Sequence, residues 1–268
     1  MFVSSSVTCF FAPKIDKPDK SGSLGVSFTI DEGVHVSTID DNKILFNEKY
    51  VKIPTLEYIL ERFGYDGGVK IETNLPLGCG FGLSGAIALA TSLELNEILR
   101  LNLPLLKVAD IAHEAEVVNR TGLGDVTTQC HGGFVVRYST SKPSKCKVDR
   151  FLWNVEIDFL VMGEIKTDEV IEGNVREIYK IGKNTLKAFL KKPSLENLFR
   201  VSKEFSLTTG FADDDIIDAI EAVESEGGLA SMIMLGRGVF AYKGSVLREL
   251  RGSYFKSNVS LCGIRKNL

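Results

Sequence analysis

Asn74-Leu75-Pro76-Leu77-Gly78-Cys79-Gly80-Phe81-Gly82-Leu83-Ser84-Gly85-Ala86 governs the reading of this chain. Gly78, Gly80 and Gly82 stand at alternate positions, and without a Cβ there the backbone amides can come close to a ligand. Val69 to Thr73, immediately upstream, reads as a strand. From Ser84 onward, Ala86, Leu89, Ala90, Leu93, Leu95 and Ile98 recur at a helix-like spacing. A helix N-terminus carries unpaired N–H groups and the positive end of the dipole, and both attract anions. Strand, glycine loop and helix start together make a cradle for phosphate.

Two other phosphate-binding patterns compete for this stretch. Gly80-Phe81-Gly82-Leu83-Ser84-Gly85 satisfies the dinucleotide pattern G-x-G-x-x-G. That pattern needs a second strand after the helix, ending in an acidic residue about 20 positions on. Here Leu105 to Asn119 is a second helix, and Glu94 and Glu97 lie inside the first. A P-loop needs lysine after its second glycine, and Ala86 stands there. The structural alternative is a turn that merely packs a helix on a sheet, but three alternating glycines with Pro76 and Ser84 exceed what a turn requires.

Working outward, Val3–Phe11, Leu24–Ile30, Val34–Ile39 and Lys43–Phe46 read as strands, and Thr55–Phe63 as a helix closed by Gly64. Gly132–Tyr138 returns to strand, and the Lys-, Ser- and Pro-containing stretch Ser139–Val148 is the best candidate boundary. Beyond it come a strand at Phe151–Met162 and helices at Asp168–Leu190, Ser194–Leu207 and Asp213–Glu224. Leu229–Leu235 and Val239–Tyr242 then read as a strand pair around Gly236-Arg237-Gly238, followed by a closing strand in Tyr254–Ile264. The expected class is α+β in two halves, with domains at residues 1–148 and 149–268.

The chain has 268 residues, 44% hydrophobic and 25% charged, enough for one large domain or two closely packed ones. Its 32 basic and 35 acidic side chains give a net charge of −3, without the basic excess or stripe of a duplex-binding protein. No apolar run approaches the roughly 20 residues needed to span a bilayer. Met1-Phe2-Val3-Ser4-Ser5-Ser6 lacks the basic n-region and apolar core of a secretory signal. Cys9, Cys79, Cys130, Cys146 and Cys262 form no C-x-x-C pair, and the histidines show no metal-ligand spacing. They are expected as reduced thiols of a cytoplasmic protein.

Pro76-x-Gly78-x-Gly80-Phe81-Gly82-Leu83-Ser84-Gly85-Ala86 resembles the P-x-G-x-G-L-G-S-S-A loop of the GHMP kinases. Gly85 in place of the usual alanine is similar to the pantoate kinase branch of that superfamily. Phe10-Phe11-x-Pro13 with Ser21-Gly22-Ser23-x-Gly25 resembles the N-terminal signature of the branch. Glu114 to Val126 with Gly132-Gly133-x-Val135-Val136-Arg137 resembles its central one, and Ala230-Ser231-x-x-Met234-Leu235-Gly236 its third. The matches run from about residue 5 to the end. Two departures stand where acceptor binding is expected: Ser4-Ser5-Ser6 replaces Pro-Gly-His, and Leu24 replaces an arginine.

The resemblance implies a two-domain GHMP fold, with a β-rich N-terminal domain carrying the phosphate site and a ferredoxin-like C-terminal α/β sandwich. It implies ATP and Mg²⁺, a homodimer, and transfer of the γ-phosphoryl group to the 4-hydroxyl of pantoate, a step toward coenzyme A. Shikimate, homoserine and mevalonate are the alternative acceptors within the superfamily. A non-catalytic relative is the reading of another class, and the joint presence of Ser84, Glu116 and Asp125 argues against it.

The cradle residues are Pro76, Gly78, Gly80, Phe81, Gly82, Leu83, Ser84, Gly85 and Ala86. Ser84 can contact a phosphate oxygen or Mg²⁺, with a helix-capping serine as the structural alternative. At about 100° per residue, Leu105, Ala109, Ala112 and Glu116 share one line of their helix, whereas Glu114 falls with Lys107 and Asp110. A glutamate on an apolar line is costly unless paired or bound to metal. Glu116 is therefore the expected Mg²⁺ ligand, with a salt bridge to Arg120 as the alternative. Asp125 is expected to orient the acceptor hydroxyl or take its proton, the role of the matching aspartate in mevalonate kinase-like members; an N-cap or Asx-turn aspartate is the alternative. Arg137 offers a planar fork to a carboxylate, with a surface arginine as the alternative. Ser23 is implied at the acceptor by the resemblance alone, and Lys14 offers a cation near the phosphates.

Overall fold

A computed structural model describes residues 1–164 and 174–266. In chain order the first half comprises β1 (Phe2–Lys14), β2 (Gly22–Ile39), β3 (Ile44–Phe46), β4 (Lys49–Tyr50), α1 (Pro54–Phe63), β5 (Gly68–Glu72), α2 (Leu83–Ile98), α3 (Leu105–Val118), α4 (Asp125–His131), β6 (Phe134–Arg137) and β7 (Val148–Phe151). The second half comprises β8 (Glu156–Gly163), α5 (Val175–Lys191), α6 (Leu195–Thr209), α7 (Asp214–Ser225), β9 (Leu229–Met232), β10 (Arg237–Tyr242), β11 (Ser253–Asn258) and β12 (Ile264–Arg265).

The first sheet runs β12-β1-β2-β5-β3-β4. The two strands expected at 24–30 and 34–39 are one strand, β2, which carries the irregularity itself. Between the pairs Ser6–Thr29 and Ser4–Gly33, residues 30–32 of β2 stand opposite Ser5 alone, and a second register shift falls between Thr8 and Phe10 of β1. The far edge of β2 is shared: Gly25–Phe28 pairs with β6 and His35–Ile39 with β5. β7 extends the sheet beyond β6. Helix α2 lies against β1 and β2, and α1, α3 and α4 pack around it. Ten of its sixteen residues are buried, so it is a core helix without a polar face.

The second sheet is antiparallel in the order β11-β8-β10-β9, the strand order of a ferredoxin-like sandwich, with α5, α6 and α7 between β8 and β9. The expected helix from Asp168 is described as α5 from Val175 onward, and its positions 168–173 lie outside the described residues. Phenylalanines fuse the two sheets into one core. Phe28 of β2 meets Phe159 of β8 and Phe240 of β10 at centroid distances of 6.4 and 5.4 Å. Phe10 of β1 faces Phe189 and Phe205 on α5 and α6.

The sequence reading missed α4, a helix of seven residues, too short for apolar periodicity to show. On α3 the assigned register holds for Ala109, Ala112 and Glu116, all buried. Two neighbours depart from it: Leu105 is exposed, and Asp110 is buried by Lys142 and Ser144, which bond its carboxylate.

Candidate active site

The glycine loop alternates like a strand although it is none. Cys79, Phe81, Leu83 and Gly85 are buried, while Gly80, Gly82 and Ser84 retain exposure. Phe81 anchors the loop from beneath by packing on Phe159 and Phe255 of the second sheet, at 5.8 and 5.7 Å. Its role is therefore packing, and the outward face belongs to the glycines and Ser84. Gly78, Gly80 and Gly82 have φ of 73°, 81° and 57°, conformations that L side chains rarely adopt. The third sequence motif closes on the loop: a Cβ at Gly80 would meet Ile233 at 2.6 Å and the Met234 carbonyl at 2.8 Å.

Gly82 is the N-cap of α2, and no side chain caps the helix. Ser84 is thus the second helical residue and not the cap. The first backbone bond of the helix runs from Ala86 N–H to the Gly82 carbonyl, so the Leu83, Ser84 and Gly85 amides have no helical partner. These are the donors an anion would meet.

Glu116 lies directly behind them, 1% exposed. Its Oε1 accepts from the Ser84 hydroxyl and, at 2.7 Å, from the Thr121 hydroxyl. Burial pushes its carboxyl up to about 7, with the neighbouring Asp125 charge adding to the rise and the two hydroxyls opposing it. Hydroxyls, and no cation, meet this carboxylate in the described contacts. Glu114 instead accepts from Tyr58 Oη at 2.9 Å on the other face of α3.

Asp125, half-buried, opens α4 at its first helical position, after Gly124 as N-cap. Its Oδ1 accepts from the Ser6 hydroxyl at 2.8 Å. Burial raises its carboxyl, and the Ser6 hydrogen bond and the Arg137 charge pull it back down. Gly85 makes the convergence possible: a Cβ there would stand 2.9 Å from Asp125 Cβ and 3.1 Å from both Gln129 Oε1 and Glu116 Oε2. The alanine usual at this position in the superfamily has no room in this arrangement.

Arg137 is 2% exposed, which removes the surface alternative. Its Nε donates to the Ser23 carbonyl at 3.0 Å, and its Nη1 to Ser27 Oγ at 2.9 Å and Thr128 Oγ1 at 2.5 Å. Two of its three nitrogens are thus held by protein acceptors, which leaves Nη2 and not the full fork for a ligand. Ser23 meets Arg137 through its backbone carbonyl, while its hydroxyl donates to the Leu24 carbonyl at 3.1 Å. Leu24 is a core residue, 7% exposed. Lys14 is exposed at the end of β1, eight residues from Ser6 or about 26 Å at strand spacing, so nothing brings it to the glycine loop.

Ser6, Thr121, Thr128 and Gln129 are site residues the sequence reading did not assign. Ser6 was visible only as a departure from a motif, and Gln129 required knowing that α4 is helical.

The donors around Glu116 suit Mg²⁺. That ion takes hard oxygen ligands, commonly one or two carboxylates completed by phosphate oxygens. Ser84 and Glu116 supply a hydroxyl and a carboxylate beside the unpaired amides, and a buried carboxylate without a cation has a place for positive charge. No cluster of three or more His, Cys, Asp or Glu able to hold a metal alone occurs among the described residues.

Comparison with known proteins gives the same class. The GHMP kinases N terminal domain matches residues 49–133. The pantoate kinase of Methanocaldococcus jannaschii is 36% identical over 253 residues, spanning 90% of this chain and 91% of its own. That of Thermococcus kodakarensis is 30% identical, spanning 90% and 86%. A solved structure described as a phosphotransferase related to the CoA biosynthesis pathway superposes with a TM-score of 0.85 at 27% identity, covering 97% of this chain and 95% of its own. A mevalonate kinase shares the fold, with a TM-score of 0.68 at 15% identity.

Fold and cradle together define a small-molecule kinase of the GHMP type, which uses ATP. The chain belongs to the pantoate kinase family of that superfamily.

Proposed function

We propose that the protein transfers the γ-phosphoryl group of ATP to the 4-hydroxyl of pantoate, forming 4-phosphopantoate and ADP on the route to coenzyme A. The observation that carries the reading is the convergence of Ser84, Glu116 and Asp125 on Gly85 beneath a glycine loop with unpaired amides. The chain-long similarity to pantoate kinases supports the acceptor.

Phosphoryl transfer asks for positioning and charge stabilisation more than covalent chemistry. The outward glycines and the Leu83, Ser84 and Gly85 amides receive the phosphates at the positive end of α2. Ser84 and Glu116 would hold Mg²⁺, which when bound would supply positive charge to offset that of the phosphates. Asp125 orients the acceptor hydroxyl and takes its proton as the new oxygen–phosphorus bond forms and the bond to the β-phosphate oxygen breaks. Arg137 supports the Asp125 charge and offers Nη2 to the acceptor carboxylate beside Ser23. The proposed division is a phosphate-binding domain at residues 1–148 and a second at 149–268, although β7 and β12 carry the first sheet across that boundary. Phenylalanines of the second sheet fix the loop from below. We infer a homodimer from the family resemblance, and a cytoplasmic protein from its five free cysteines; no helix among the described residues is long and apolar enough to cross a membrane.

The test is ADP release with ATP–Mg²⁺ against pantoate, shikimate, homoserine and mevalonate in parallel. Pantoate is expected to give the highest kcat/KM. Another acceptor ahead by about tenfold would leave only the kinase class standing.

A further inference from the structure

Gln129 takes no part in the chemistry above, yet it is fully buried beside Asp125. It follows Asp125 by four residues on α4, so the two side chains leave the same face of the helix. Its Nε2 donates twice, to the Gly82 carbonyl at 2.8 Å and to the Ser6 hydroxyl at 3.1 Å. A carbonyl can only accept, which fixes the orientation of the amide. The Ser6 hydroxyl has a single hydrogen, and that hydrogen goes to Asp125 Oδ1 at 2.8 Å. The Ser6 N–H also holds the Phe81 carbonyl at 3.1 Å. An unbroken chain of directed hydrogen bonds therefore runs from the glycine loop to the carboxylate of Asp125.

Each end of that chain has a geometric consequence. In a trans peptide the carbonyl and the following N–H point in opposite directions. Holding the Gly82 carbonyl inward turns the Leu83 N–H outward, into the phosphate cradle. At the other end, Ser6 occupies Oδ1 of Asp125, and Oδ2 accepts from no side chain among the described residues. The reacting phosphorus and the acceptor oxygen must be held close and aligned for transfer, and small displacements are costly.

We propose that Gln129 and Ser6 are positioning residues for phosphoryl transfer, which fix the spacing between the cradle at Gly82–Leu83 and the carboxylate of Asp125. This rests on Asp125 serving the acceptor. Gln129 acts on both ends of the chain, whereas Ser6 acts on Asp125 and, through its backbone, on Phe81, which a side-chain change leaves in place.

Steady-state kinetics of Ser6→Ala and Gln129→Met test it, with Tm and nucleotide binding measured on the same samples. Ser6→Ala should lower kcat on the order of tenfold while KM for ATP stays within about twofold. Gln129→Met conserves volume but cannot donate, so it should lower kcat at least as much and also raise KM for ATP several-fold. The double variant should fall about as far as Gln129→Met alone, because the two residues act in series. Should the methionine variant fail to fold, Gln129→Asn keeps the amide one methylene short and is expected to show the same pattern. A kcat within about twofold of wild type in the single variants, with only Tm lowered, overturns the proposal, as do multiplicative losses in the double variant. Asp125→Asn runs alongside. If it keeps its kcat, the role given to Asp125 is wrong and the relay falls with it; if it loses activity while Ser6→Ala and Gln129→Met do not, the relay alone is wrong.

Discussion

Helices at the site begin differently from two helices of the second half. α6 starts at Ser194 and α7 at Asp213, and each cap side chain accepts from a backbone amide inside its helix, Asn197 N at 3.2 Å and Ile216 N at 3.0 Å. α2 and α4 start at Gly82 and Gly124, and no side chain caps either. A missing cap is not diagnostic by itself, since α1, α3 and α5 begin at Ile53, Pro104 and Asn174 without one. What separates α2 and α4 is a glycine at the cap together with a carboxylate facing the first turn. A side-chain cap is worth about 1 kcal/mol. Forgoing it at α2 leaves free amide donors, which the proposed function assigns to the phosphates of ATP.

The largest loss is expected at Glu116. Glu116→Gln keeps the shape but removes the charge proposed to hold Mg²⁺, so the metal–nucleotide complex should weaken by one to two orders of magnitude, roughly the cost of losing a charge-assisted contact. Raising Mg²⁺ should restore part of the loss. Glu114→Gln, on the opposite face with Tyr58, should change the Mg²⁺ dependence little. If Glu114→Gln is dead and Glu116→Gln active, the metal assignment on α3 is reversed.

The same carboxylate predicts a pH effect in the metal-free protein. The carboxyl of Glu116 is raised from 4.5 to about 7, so the folded state holds the proton more tightly than the unfolded one. Its contribution is fully present below the unfolded value and is lost as pH rises through about 7. Thermal stability of the metal-free protein should therefore fall between about pH 4.5 and 7 and level off above, by at most about 3 kcal/mol from this group. Glu116→Gln should flatten much of that slope. Parallel profiles for the two proteins would contradict the burial of a carboxylate met only by hydroxyls in the described contacts.

The smallest effect sharpens the contrast from the other side. Ser194→Ala removes an ordinary cap far from the chemistry and should cost about 1 kcal/mol of stability in denaturant unfolding. Its kcat and both KM values should stay at wild-type levels. A kinetic defect would mean that the second half is coupled to the site more tightly than its packing indicates.

The glycine loop and the helix start behind it were legible because their requirements are local: glycines for close approach, then a helical spacing. Glu116 was legible because 3.6-residue periodicity sorts α3 into faces, and burial of an acid on the apolar face stands out. Arg137 was visible as a residue but not as a buried group, since its partners Ser23, Ser27 and Thr128 come from β2 and α4, and only the sheet register brings β2 beside β6. Gln129 and Ser6 were invisible for the same reason. Their contact spans 123 positions of sequence, and α4 is too short to announce its helical spacing.

Thermal unfolding with and without nucleotide tests the central claim most directly, that the uncapped start of α2 is a phosphate site for ATP. At a concentration about 100 times its Kd, ATP–Mg²⁺ should stabilise the folded protein by about 2.7 kcal/mol and raise Tm by several degrees, while NADH leaves it unchanged. An equal shift with NADH, or none with ATP–Mg²⁺ at millimolar concentration, would contradict the account.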